Sequence, residues 1–167
     1  MATETKSRSE NIQKINELIK DVRIAMLTTA DENGVLRSRP MATQKTEFDG
    51  DLYFFTKEHS PKMDEVEKDH NVNVAYSNPD KQHYVSLSGT AKIINNRAKI
   101  EELWSPELKA WFPDGLEDPE LSLLKIETSQ AEYWDTPNST VVYLVGLAKA
   151  IATGETYHPG ENEKVQL

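Results

Sequence analysis

Residues 23–57 read RIAMLTTADENGVLRSRPMATQKTEFDGDLYFFTK, and the reading of this stretch decides the fold. Residues 23–29 are, after Arg23, apolar or β-branched for the length of a buried strand. Asp31, Glu32, Asn33 and Gly34 follow as a hairpin turn, because Gly34 tolerates positive φ and Asn33 nearly does. The return strand covers 35–45. It contains Pro40, which has no N–H to donate and so belongs at an edge, a bulge or a strand break. Phe48, Asp49 and Gly50 mark the next turn, and 51–56 is a third strand rich in aromatic residues.

Working outward, Ser60 and Pro61 open a short helix over 61–69, with Ser60 at the N-cap and Pro61 in the first helical position. Met63 and Val66 face inward. Residues 71–77 (NVNVAYS) and 83–94 are two more strands. Val85, Leu87, Ala91 and Ile93 share one face of the second, and Gly89 in its middle predicts a bend or a close backbone approach. The pattern is five strands joined mostly by hairpin-length links, with one short helix between the third and fourth. Strands do not alternate with long crossover helices, so a doubly wound parallel sheet is excluded. A mainly β, closed or nearly closed antiparallel barrel fits.

Peripheral elements surround this core. Residues 1–7 read as a flexible leader. Ser7 and Glu10 form a capping box for a helix over 8–20, whose apolar face is Ile12, Ile15, Leu18 and Ile19. Residues 97–111 are helical, broken by Pro106 into two short helices to which Ile100, Leu103, Trp104 and Trp111 contribute. A late strand covers 121–134 and a helix 140–153. The expected organisation is one domain over 8–153 followed by a polar tail, 154–167.

Composition excludes several function classes. The chain has 167 residues, 28 acidic and 19 basic, for a net charge of -9. That argues against general nucleic-acid binding. There is no cysteine, hence no disulfide, thiol nucleophile or thiolate metal site. No apolar run approaches the ~20 residues of a membrane span. The polar start shows no signal peptide, so a cytoplasmic protein without membrane contact is expected. The four histidines form no metal pattern, and no glycine-rich phosphate loop is present. Asn138–Ser139–Thr140 matches a glycosylation acceptor only by chance.

Two local features stand above this background. Arg37 and Arg39, at i and i+2 on a strand, can turn both guanidinium groups to one face, and arginine forks suit phosphate. Ser60, Pro61 and Lys62 put a hydroxyl, free helix-start amides and an ammonium together, a plausible anion seat. The alternatives are two solvated arginines and a plain helix cap. Tyr84, Trp104, Trp111 and Trp134 are either core or faces for a planar cofactor, with core favoured for Trp111.

The order and spacing of RIAMLTT (23–29), LRSRPM (36–41), LYFFTKEHSPKMDEV (52–66), YVSLSGTAKI (84–93), LWSPELKAWFPDG (103–115) and AEYWD (131–135) resembles the pyridoxamine-phosphate-oxidase-like flavoproteins, the FMN-binding split barrels. Within them the chain is similar to the bacterial general stress protein 26 group. The resemblance implies a six- or seven-stranded antiparallel split barrel and a homodimer with FMN between the subunits, FAD being possible. It implies that Arg37 holds the phosphate end and that Ser38, Arg39, Pro40 and Met41 run beside the flavin ring. Phe55 and Thr56 match the aromatic–threonine pair of the next strand. Ser60, Pro61 and Lys62 match the phosphate-binding segment, and Trp134 reaches the flavin from the other subunit. Trp104 is expected to cover the ring or the adenine end of FAD.

Two departures bear on activity. Tyr84 stands where the oxidases carry Gln, and no Arg-x-His follows Trp134, so vitamin B6 oxidation is not expected. The resemblance then implies a flavin-dependent oxidoreductase of unknown substrate, with a nicotinamide as the candidate donor. The alternatives are a flavin-binding or flavin-sensing stress protein without turnover, and an anion-binding structural dimer without flavin. No metal is implied.

Overall fold

The computed structural model describes residues 6–137, 140–158 and 160–167. Seven strands form one antiparallel sheet: β1 Ile24–Ala30, β2 Leu36–Ala42, β3 Asp51–Lys57, β4 Asn71–Asn78, β5 His83–Ile94, β6 Leu121–Asp135 and β7 Glu161–Gln166. The helices are α1 Arg8–Ile19, α2 Pro61–Lys68, α3 Arg97–Leu103 and α4 Thr140–Thr153. Short 3-10 segments follow α3 at Pro106–Ala110 and Gly115–Glu117. The sheet runs β2-β1-β4-β5-β6-β3, and β7 pairs with the far half of β6. It is the antiparallel split barrel that the resemblance implied, and it agrees with the nearly closed antiparallel barrel read from the hairpin spacing.

Local choices in the sequence account for these elements. The Ser7 hydroxyl accepts from the Glu10 amide at 3.3 Å while the Glu10 carboxylate accepts from the Ser7 amide at 2.6 Å, so the capping box is formed. Such a cap is worth about 1 kcal/mol. Ile15, Leu18 and Ile19 of α1 enter the main core with Leu27, Phe54, Val74, Leu87, Ile126 and Tyr133. β3 and the start of β6 lack alternation because both of their faces are covered. Phe54 enters the main core, whereas Phe55 enters a second cluster with Ile100, Leu108, Leu121 and Leu123 under α3. Pro106 separates α3 from the following 3-10 turn, as its missing N–H requires.

Gly89 lies where the β5–β6 register shifts. A Cβ there would collide with the Glu127 carbonyl and the Thr128 backbone, so only glycine lets the two strands approach.

Two expectations fail. Residues 161–166 are not a loose tail but β7, paired with β6 from Gln130↔Gln166 to Asp135↔Glu161. Charge made this strand unreadable, since ENEKVQ buries only Val165 and is held by polar ties. Lys6 meets Glu161 at 2.6 Å and Glu163 at 3.0 Å, and the Tyr133 hydroxyl donates to both carboxylates at 2.8 Å. Trp111 is not core: it is 60% exposed. The Asn138–Ser139–Thr140 motif falls largely outside the described residues.

Candidate functional site

β2 and β3 are the two ends of the strand path. Each therefore turns one backbone edge towards the split rather than to a neighbouring strand. Pro40 is tolerated because β2 is an edge strand; it pairs in register with Met26. α2 follows β3 after a three-residue link, and its first turn lies at the same seam, with Ser60 against Thr56 and Lys62 beside Arg39.

Alternation places Arg37, Arg39 and Met41 on one face of β2, with Met41 in the core. Arg39 is half-buried. Its Nη1 donates to the Thr29 hydroxyl at 2.7 Å and its Nη2 to Glu65 at 2.7 Å. The Thr29 hydroxyl also donates to Glu65. That hydrogen bond, then the Arg39 ion pair, then the charge of Arg37 hold the Glu65 carboxyl below its usual range against its partial burial. Arg37 is more open. Among the described residues its ion pair is with Asp31, 3.5 Å away, and Asp31 is already occupied by the Asn33 and Val35 amides of the hairpin turn.

Ser60 is the N-cap of α2, yet its hydroxyl makes no capping hydrogen bond; it lies 3.4 Å from the Thr56 hydroxyl. Lys62 is half-buried, and among the described residues no carboxylate pairs with it. Burial, then the nearby Arg39 charge, hold its ammonium below the ordinary lysine range. The seam thus gathers an open arginine, a hydroxyl held only by a long contact to Thr56, the amides at a helix start and an ammonium lacking a counter-charge. Such a set fits a dianionic phosphomonoester. Glu65 and Thr29 belong to this site and were missed from sequence. The hairpin register Thr29↔Arg37 was the signal for Thr29, and the helical i+3 spacing from Lys62 was the signal for Glu65.

The aromatic candidates divide. The Phe55 ring turns into the second cluster, 5.7 Å and edge-on from Trp104, so only its backbone faces the seam. Thr56 is buried there. Trp104 is half-buried on Phe55, and its other side borders a cleft of about 1030 Å³ with Arg23, Thr43, Lys45 and Trp111. Tyr84 and Trp134 pair across β5 and β6 on the outer face of the sheet, 40% and 39% exposed. Within one chain they are separated from β2 by β4 and β1, so one copy alone does not bring them to the seam.

Comparisons agree with this architecture. The family model described as pyridoxamine 5'-phosphate oxidase like matches residues 10–158. The protein bli-3 of Neurospora crassa is 33% identical over 156 residues, 86% of this chain and 75% of its own length. A Jannaschia sp. structure assigned to general stress protein 26 is 28% identical, with a TM-score of 0.75 over 95% of this chain and 99% of its own. The general stress FMN/FAD binding protein of Xanthomonas citri is 27% identical, with a TM-score of 0.65 over 79% of this chain and 92% of its own. The split barrel, the seam between its edge strands and a match covering most of the chain place this protein in the pyridoxamine 5'-phosphate oxidase like family.

Proposed function

We propose that the seam binds the phosphate end of FMN, or the FMN half of FAD, in a homodimeric general stress flavoprotein. The observation that carries this reading is Lys62, half-buried beside Arg39 without a carboxylate of its own. A phosphate held by Arg37, the Ser60 hydroxyl and Lys62 supplies the missing charge. The free edge of β2 from Ser38 to Met41 then offers backbone groups to the planar ring. From Arg37 to Ala42 the strand spans roughly 17 Å, which carries the ring towards the cleft beside Trp104. Tyr84 and Trp134 come to the ring from the second copy. The likeness to the general stress FMN/FAD binding protein of Xanthomonas citri supports the same reading.

When bound, the flavin supplies the electron-transfer chemistry, and the protein binds and orients it. We infer a flavin oxidoreductase, with a nicotinamide as the candidate donor, and a flavin-binding protein without turnover as the second reading. The second reading is favoured by one observation: with Lys62 assigned to the phosphate, the carboxylate at the seam is committed as well, Glu65 being tied to Arg39 and Thr29. Two measurements test these readings. Purified protein should take up one FMN per chain with a shifted flavin absorbance; no uptake rejects both. Anaerobic mixing with NADH or NADPH should bleach the bound flavin; flavin that stays oxidised with either donor removes the nicotinamide route.

A further inference from the structure

Helix α4 carries an apolar stripe on its outer side. Val141, Leu144, Val145, Ala148 and Ile151 recur at i, i+3, i+4, i+7 and i+10, which aligns them along one face. All five are exposed, Val141 by 70% and Ile151 by 76%. The opposite side is the one turned inward. Gly146, Leu147 and Ala150 are half-buried, and the Tyr157 ring lies against Gly146 and 5.8 Å from Tyr143. Lys149 is the sole charge in TVVYLVGLAKAIAT. Among the described residues, α4 has no substantial packing against any strand or other helix. The surface helix of a monomer carries polar residues outward, and a helix of this length without a packed face is marginal in water.

The chain fixes where this helix projects. It leaves the sheet at Asp135 and returns at Glu161, and these two residues pair directly. α4 is therefore an excursion rooted next to Trp134, at the end of the outer face that also exposes Tyr84, Met26 and Ile24. The exposed parts of the α4 side chains amount to roughly 500 Å², short of the roughly 800 Å² that each partner contributes to a stable interface. The apolar residues of the outer sheet face, with Leu36, add an amount of the same order, on the order of 450 Å², and only the two together clear that requirement. A lipid surface is a poor alternative: such helices carry a basic polar face, whereas α4 has one lysine in a chain of net charge -9.

We propose that α4 is an arm that packs its stripe onto a second copy of this chain, continuous with the outer sheet face around Tyr84 and Trp134. This rests on the proposed pairing of two copies, not on the flavin.

The test is sedimentation of the full chain at micromolar concentration, as wild type, L144E/I151E and K149E. The wild type and K149E should run at about twice the 18.9 kDa chain mass. L144E/I151E should weaken the dimer at least tenfold while keeping the wild-type circular dichroism spectrum. A wild-type monomer, or a double variant as dimeric as the wild type, overturns the proposal. A second measurement does not depend on that variant. The chain has no cysteine, so V145C carries the sole thiol. It should react with a thiol reagent at least tenfold more slowly above the dimer dissociation constant than below it; equal rates overturn the arm. Pelleting of the wild type with phosphatidylcholine–phosphatidylserine vesicles would overturn it in favour of lipid. K62A separates this inference from the flavin reading: it should stay dimeric and lose FMN, and a dimeric K62A that keeps FMN rejects only the flavin seat.

Discussion

Arg39 and Lys62 share one half-buried site at the split of the barrel, and Arg39 alone has a counter-charge, Glu65 at 2.7 Å. Two cations held this close repel, and the cost falls on Lys62, whose ammonium is disfavoured by burial and by Arg39. A folded-state lysine value below the ordinary one means that the charged form opposes folding, a cost relieved as pH rises past the lowered value. Lys62→Met should therefore stabilise the flavin-free protein at neutral pH, and that gain should shrink in alkaline solution below the ordinary value of 10.5. The same substitution should weaken FMN binding at least tenfold, since a charge-assisted hydrogen bond is worth ~1.5–3 kcal/mol. Urea unfolding and FMN titration give the two signs; a destabilised K62M contradicts the shortage of counter-charge.

Glu65 is the converse case. Its folded value is lowered by the Thr29 hydroxyl and by Arg39, so its stabilisation is present above the unfolded carboxylate value and lost as pH falls through the folded one. Glu65→Ala leaves Arg39 half-buried and unpaired, and should cost about 2–4 kcal/mol at neutral pH. The wild-type advantage over E65A should disappear in acid. An unchanged urea midpoint would show that solvent serves Arg39 as well as Glu65 does.

Gly89→Ala should destabilise the protein by about 3 kcal/mol, because the added methyl meets the Glu127 carbonyl and neither backbone can yield without losing the register shift. Urea unfolding checks this, and a cost near zero would mean that the β5–β6 contact is looser than described.

Much of this fold was legible because local signals agreed. The 31–34 turn, Pro40 at an edge and Gly89 in a long strand each state a backbone requirement that one residue type meets. β7 was not legible, since its pairing depends on Lys6 meeting Glu161 and Glu163 from the other end of the chain, and each reads by itself as solvated charge. Trp111 was misread because hydrophobicity alone does not say which side of a short 3-10 turn faces out. At the site, the residue types of Arg37, Ser60 and Lys62 pointed to an anion seat, but the commitment of Arg39 to Glu65 needed the relative placement of β2 and α2.

The β7 ties give a pH dependence of their own. Glu161 is held down at about 2, first by Lys6, then by Lys14 and the Tyr133 hydroxyl. Its contribution should be full above the ordinary value of 4.5 and lost as pH falls towards 2. The groups are more than a third exposed, so solvent screening limits the effect to about 1 kcal/mol or less. Glu161→Gln should lose that amount at neutral pH and converge with the wild type near pH 2; curves that stay parallel would contradict the pairing.

Trp104 and Trp134 should separate cleanly. Trp104→Ala removes a half-buried ring packed on Phe55 and should cost about 2–4 kcal/mol with or without flavin. Trp134→Ala removes a ring from the outer face and should cost under about 1 kcal/mol in the flavin-free monomer, while weakening both dimerisation and FMN binding. Unchanged FMN affinity in W134A would exclude a cofactor groove completed by the second copy.

The most direct test of the phosphate seat is a matched titration of FMN and riboflavin into the wild type, R37A and K62A. The two ligands differ only in the phosphate. FMN should bind the wild type much more tightly than riboflavin, each substitution should weaken FMN at least tenfold, and riboflavin affinity should hardly change. Equal loss for both ligands, or no loss for either, would contradict a phosphate seat built from Arg37, Ser60 and Lys62.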